Sequence, residues 1–295
     1  MMEKDLQEIL KIINDAPAEF LRQLSKTEKE IYERVLGIIK ELDVDSTGKI
    51  KPSIANLKKL EDIKGHLGKS LLSKEYLNSV KGFVKKFQAI SVLQKKLFDS
   101  EKPILKTITL LAIDNTLDTL TGKGYTDTVV RQLRDIIQTS ITSGGSYKDL
   151  TLNIEKLVTG DNDKQSILKK QVQVPVMDAL SIYSAEYTKL ITEDLGYEWY
   201  EYIGSNKTTT REFCEHMTNK RYVHKSEIPT LLTGLIDGYQ CKTGKNGLPL
   251  GMFDDTNIQN FQVNRGGHNC GHQLWPILES KVPQNIKKKI EGNIK

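Results

Sequence analysis

Thr208-Thr-Thr-Arg-Glu-Phe-Cys-Glu-His216 opens, and Asn264-Arg-Gly-Gly-His-Asn-Cys-Gly-His-Gln-Leu-Trp-Pro276 closes, the segment where the soft side chains of this chain are gathered. The sequence has three cysteines and five histidines. Cys214, Cys241, Cys270, His216, His224, His268 and His272 all fall between positions 214 and 272, about a fifth of the length. Chance placement would spread them, so the concentration needs a physical reason.

Two Cys-x-His pairs, Cys214-Glu-His216 and Cys270-Gly-His272, stand at the ends of a stretch holding Gly234, Gly238, Gly244, Gly247, Pro249 and Gly251. So long a loop region in a compact fold requires something to order it. A crosslink between Cys214 and Cys270 closes a loop of about 55 residues and would contribute roughly 4 kcal/mol on the chain-entropy account. A zinc ion accepts thiolates and imidazoles in tetrahedral sets and supplies such a clamp without oxidation. The ligand candidates are Cys214, Cys270, His272 and one of His216, His268, His224 or Cys241. The set expected here is Cys214, His216, Cys270 and His272. Two other readings stay open: the cysteines pack as small apolar groups while the histidines satisfy loop carbonyls, or the cysteines form a disulfide. Arg211 and Arg265, each a few positions before a cysteine, are expected to tie down loop carbonyls or an acid such as Glu212 or Asp254. Gly266-Gly267 is expected to permit positive backbone angles beside the closing cysteine, and Trp275-Pro276 is expected to seal the small core.

Upstream, Tyr197-Glu-Trp-Tyr-Glu-Tyr-Ile-Gly204 alternates and is aromatic, which predicts a strand. Gly196 is a left-handed stop for the helix before it. That helix runs from about 165 to 195 on Ile167, Leu168, Val172, Val176, Leu180, Tyr183, Tyr187 and Leu190, with Pro175 kinking or splitting it. Further back, Ser146 caps a short helix with Leu150, Ile154 and Leu157. Asp127 caps another with Val129, Val130, Leu133, Ile136, Ile137 and Ile141 as its apolar face. Ile104–Leu120 follows Pro103 as an amphipathic helix. Pro52 to Phe98 reads as continuing helix on Leu57, Leu60, Ile63, Leu67, Tyr76, Val80, Phe83, Phe87 and Ile90. Pro17 is expected to start a second helix at its first turn, after a first built on Leu6, Ile9, Leu10 and Ile13. Asp43 to Ile54 has the outline of a calcium loop, but position twelve falls on Ile54 where a bidentate Glu is needed; the reading is a helix–helix turn.

The net charge of +5, from 43 basic and 38 acidic residues, lacks the one-sided excess of a dedicated nucleic-acid binder. No run of 18 apolar residues predicts a membrane span, and the N-terminus does not read as a secretory signal. Three cysteines suit a reducing compartment better than a disulfide scaffold.

The strand ending in Tyr202-Ile-Gly204, then Thr210-Arg-Glu-Phe-Cys214, Lys220-Arg-Tyr222 and Glu227-Ile228, then a long loop and the closing Asn264–Pro276 motif, resemble the C-terminal region of tailed-phage minor head proteins, the Mu F-like head morphogenesis family. The helices of Val130–Gly160 resemble those that precede that region, and the likeness spans about 105–278. It implies a virion structural protein acting in head assembly at the portal vertex and involved in DNA packaging or ejection. Its partners would be the portal protein and the major capsid or scaffold protein, with contact to packaged DNA and none to a membrane. It would be found in the phage head and, during assembly, in the host cytoplasm. The resemblance implies no catalysis. The family's marked positions correspond to Thr210, Arg211, Cys214, Arg265, Gly266, Gly267, Cys270 and Trp275. Two departures stand out: Gly271 where many members carry a basic residue, and His216 where many carry a second cysteine.

The expected fold is mainly α: an extended N-terminal helical region followed by a small α+β, loop-rich C-terminal module. The expected segments are 1–104, a helical arm; 105–196, a helical domain; 197–280, the Cys/His-rich module; and 281–295, a solvated basic tail around Lys287-Lys288-Lys289. A nuclease-like module using His268 or His272 as base with Arg265 on phosphate, and a zinc-stabilised interaction module, are the alternative functions.

Overall fold

A computed structural model describes residues 2–61, 67, 68, 71–99 and 102–294. The fold is mainly α with a small α+β part. Helices come first: α1 (Met2–Ile39), α2 (Ile54–Glu61), α3 (Lys74–Phe98), α4 (Pro103–Thr121), α5 (Lys123–Thr142), α6 (Tyr147–Thr159) and α7 (Ile167–Thr192). Contacts group the chain into two compact units that interleave along it. One holds residues 16–85 and 114–176, the other 1–15, 86–113 and 177–295.

In the first unit a stripe on α1 (Phe20, Leu24, Ile31, Val35, Ile39) is buried, as are Tyr76, Val80 and Phe83 of α3. So are Val129, Leu133 and Ile137 of α5, and Leu150, Ile154 and Val158 of α6. These are the i, i+3, i+4 positions from which one-sided helices build a core. Tyr76 stacks on Tyr125 at 5.4 Å and donates to the carbonyl of Leu120 at 2.6 Å. The buried Glu28 accepts from Ser166 and from Lys169. Asp45 Oδ1 accepts from the amides of Thr47 and Lys49 and from the Thr47 hydroxyl, so the Asp43–Ile50 stretch is a turn closed by its own carboxylate, with Val44 and Ile50 bridged.

Three helix expectations are corrected. Pro17 lies inside α1 and does not begin a helix; buried residues on both sides of it, Ile9 and Ile13 before, Phe20 and Leu24 after, outweigh the lost hydrogen bond. Helix does not continue from Pro52 to Phe98: it breaks at Leu72-Ser73, where the Ser73 hydroxyl accepts from the amide of Tyr76 at 3.3 Å and starts α3. Ile63 lies outside the described residues. Asp127 sits within α5, whose N-cap is Gly122. By contrast Ser146 does cap α6 through the Asp149 amide and Gly196 is left-handed, while Pro175 does not split α7, which runs unbroken through it.

In the second unit, Gln94 of α3 is buried and donates to the Ser184 carbonyl at 2.8 Å and the Thr188 hydroxyl at 2.7 Å. Tyr183 of α7 meets Phe87 edge-on and hydrogen-bonds Thr109 of α4. A three-stranded antiparallel sheet follows, with β1 (Trp199–Ile203) central, flanked by β2 (Tyr222–His224) and β5 (Gln273–Ile277). A hairpin of β3 (Leu235–Ile236) and β4 (Tyr239–Gln240) and the short helices α8 (Glu212–Lys220), α9 (Ile228–Leu232) and α10 (Phe261–Asn264) complete the module. Side chains alternate across the sheet. Tyr202 and Leu274, paired in register, face a cluster with Phe213, Cys214, Met217, Val223, Cys241, Phe261 and Cys270. Trp275, one residue on, stacks on Phe98 at 5.1 Å and is not part of the small core it was expected to seal. Residues expected as a solvated basic tail instead form α11 (Gln284–Ile294), which packs Ile286 and Ile290 with Trp199 and Val282. There Lys287 pairs with Glu279 and Lys289 with Asp237.

Candidate metal centre

Cys214 is the third residue of α8, and Cys270 and His272 lie on the approach to β5. Because β5 pairs with β1 and α8 packs on the same face, the two ends of the 56-residue separation meet. Cys214 Sγ and Cys270 Sγ are 3.9 Å apart, and Cys270 Sγ is 3.7 Å from His272 Nδ1. Among the described residues, these three form the one group of His, Cys, Asp or Glu side chains that could hold a metal ion; their ligand atoms lie within 4.8 Å of one another. All three side chains are buried. With zinc–sulfur bonds near 2.3 Å and zinc–nitrogen bonds near 2.0 Å, a tetrahedron has sulfur–sulfur edges of about 3.8 Å and sulfur–nitrogen edges of about 3.6 Å. The observed spacings have that scale.

Glycine makes the approach feasible at two points. A Cβ on Gly266 would lie 2.5 Å from both sulfurs, and one on Gly204 would lie 2.5 Å from His272 Cδ2. The backbone therefore presses on the group from two sides. His272 Nε2 faces Asn206 Oδ1 at 3.3 Å, and the ring stacks on Tyr202. The hydrogen bond from Cys214 draws the Cys270 thiol well below its ordinary value against the effect of burial, with His272 and Arg265 adding to it. Cys214, on the donating side of that bond and buried, is pushed up. A bound cation would favour deprotonation of both thiols.

Both arginines hold backbone. Arg211 donates to the carbonyls of Gly266, at 2.8 Å, and His268. Arg265, 2% exposed, donates to the carbonyls of His272, Val263 and Ser181 and to the Ser181 hydroxyl. Neither takes Glu212 or Asp254. Ser181 in turn donates to the Cys270 carbonyl at 2.5 Å.

The remaining sequence candidates are elsewhere. His216, expected as a ligand, is not in the group: it stacks on Tyr239 at 3.9 Å. On a helix, positions two apart point about 200° from each other, so Cys214 and His216 cannot turn to one ion. His224 engages Ser226 at the start of a 3-10 turn. Half-exposed His268 faces Asp178 at 3.6 Å. Cys241 is buried in the same apolar cluster but outside the group, and burial raises its thiol. Gly271 sits against α1: a Cβ there would lie 2.6 Å from Asn14 Oδ1, so a larger residue would require the Asn14 side chain to move. Asn206 and Tyr202 had no signal in spacing. Tyr202 was legible only as an aromatic in a strand.

Among the described residues no helix is long and apolar enough to cross a membrane. Comparison of the chain with protein-family models, curated proteins and solved structures finds no match.

Proposed function

We propose that this chain is a structural protein of a tailed-phage head, of the minor head class, whose C-terminal module is held shut by a zinc ion on Cys214, Cys270 and His272. The observation that carries the reading is the meeting of the two Arg-to-Cys segments. Arg211, Cys214, Arg265, Gly266 and Cys270, which carry the likeness to head morphogenesis proteins, all act in closing one module. Residues used in this way build a docking scaffold; they are not presented to a substrate. The proposed partners are the portal protein and the capsid or scaffold protein, with contact to packaged DNA. The proposed location is the virion head.

Mass spectrometry of purified virions, with affinity capture on the portal protein, tests the assignment. The expected result is a minor virion component that co-purifies with portal. A chain missing from virions and indifferent to portal would end the reading. Elemental analysis tests the ion: close to one zinc per chain is expected, and less than about 0.2, with melting unchanged by chelation, removes the clamp.

The nuclease reading keeps one group. Arg265 and His272 are buried, whereas His268 reaches solvent with Asp178 behind it, an arrangement that orients an imidazole as base. DNA cleavage that vanishes in His268→Ala, with the fold intact, would favour it over the structural role.

A further inference from the structure

Three protein donors leave one position of a tetrahedral ion to be filled, and in this centre the space around the sulfurs is closed. We infer that the hydroxyl oxygen of Tyr202 is the fourth ligand, giving a site of two thiolates, one imidazole and one phenolate; the inference rests on the zinc reading above.

The first observation is place. Tyr202 projects from the central strand into the cluster holding both cysteines, and its oxygen lies 3.8 Å from Cys270 Sγ. That is the scale of a tetrahedral edge, about 3.5 Å for one sulfur and one oxygen donor. The same oxygen is 3.2 Å from the position of a Cβ on Gly266, the position that is 2.5 Å from each sulfur. Oxygen and sulfurs therefore converge beside one glycine.

The second observation is the hydroxyl's company. Tyr202 is 2% exposed, and its hydroxyl meets the two cysteine sulfurs, which are weak partners. A buried hydroxyl normally finds a good partner. An ion between it and the sulfurs would supply one.

The third observation is charge. Arg265 is fully buried, and the partners its guanidinium has are neutral carbonyls and a hydroxyl. A buried cation is costly unless balanced. Zinc with two thiolates and a neutral imidazole has no net charge. Adding a phenolate makes it −1, which matches the guanidinium. The two thiol protons and the phenol proton leave to solvent as the ion enters. Around the imidazole, Nδ1 faces the ion and Nε2–H donates to Asn206, the outer contact that fixes a ligating histidine.

The test uses the full chain carrying its zinc. The near-ultraviolet spectrum at neutral pH is compared before and after chelation, and zinc affinity is measured for the native protein and for Tyr202→Phe. A tyrosinate band lost on chelation, absent in Tyr202→Phe, with affinity at least tenfold weaker in that variant, is the expected result. Stoichiometric zinc with no tyrosinate band and affinity unchanged in Tyr202→Phe overturns the tyrosine ligand and leaves the zinc clamp standing. A chain that holds no zinc overturns both. Should Tyr202→Phe fail to fold, the band in the native protein decides alone.

Discussion

Arg211 Nη1 donates to the carbonyl of Gly266 at 2.8 Å, across 55 positions of chain. A second arm of the same guanidinium reaches the His268 carbonyl. A planar fork suits two carbonyls at once, where an ammonium is a single point. Arg211→Met is expected to destabilise the module by about 2 kcal/mol, since bonds from a charged donor contribute about 1.5–3 kcal/mol each and this one is half-exposed. Arg211→Lys should recover only part. Urea unfolding of the three proteins checks this; a loss under about 0.5 kcal/mol in Arg211→Met would show that the clasp is ornamental.

Gly266→Ala puts a methyl group 2.5 Å from both sulfurs. Overpacking of this kind costs about 1–3 kcal/mol, and here it also pushes the thiols apart, so bound zinc should fall with the melting temperature. Gly82→Ala provides the opposite case. It lies in α3 with nothing within 4 Å of a new Cβ, and the same substitution should stabilise by about 0.5–1 kcal/mol through helix propensity.

Metal content separates the two histidines of the Cys-x-His pairs. His272→Ala should abolish stoichiometric zinc. His216→Ala should leave it unchanged, because the His216 ring lies on Tyr239 and outside the donor group. Zinc lost from His216→Ala would contradict this geometry.

Acid should weaken the contact between the hairpin and α11 through Asp237. Burial raises its carboxyl, but the hydrogen bonds and charges of Lys220 and Lys289 outweigh that and bring it below the ordinary 3.8. A carboxyl lowered in the folded state contributes stability that is full above its unfolded value and is lost as pH falls through the folded value. Melting followed from about pH 6 downward should therefore decline less steeply in Asp237→Asn than in the native chain. Parallel curves would remove the ion pairs from the account.

Periodicity revealed the helices because each buries a single stripe: Val129, Leu133 and Ile137 of α5, or Leu150 and Ile154 of α6, lie where a 3.6-residue repeat puts them. It misjudged interruptions. Pro17 looks like a boundary locally, yet packing on both sides carries α1 through it, and Ser73 opens a new helix at a break that the apolar repeat alone would not show. In the centre, Cys214, Cys270 and His272 were legible from their concentration. His216 was wrongly joined to them because sequence spacing hides which way a helix points. Asn206 and Tyr202 stayed hidden because their nearness to His272 and Cys270 comes from the pairing of β1 with β5, which sets Tyr202 opposite Leu274 across about 70 positions.

That register also sets an order of events on the ribosome. Strand β2 emerges about 20 residues after β1 and can pair at once, whereas β5, on the opposite side of β1, is made only when Gln273–Ile277 appear. At 5–20 residues per second, one flank of the middle strand stays open for roughly 3–10 s. Its bare amides and carbonyls are then free to zip onto another nascent chain. The length of the segment between His224 and Gln273 thus sets that interval, and shortening it would narrow the time in which growing chains can tangle.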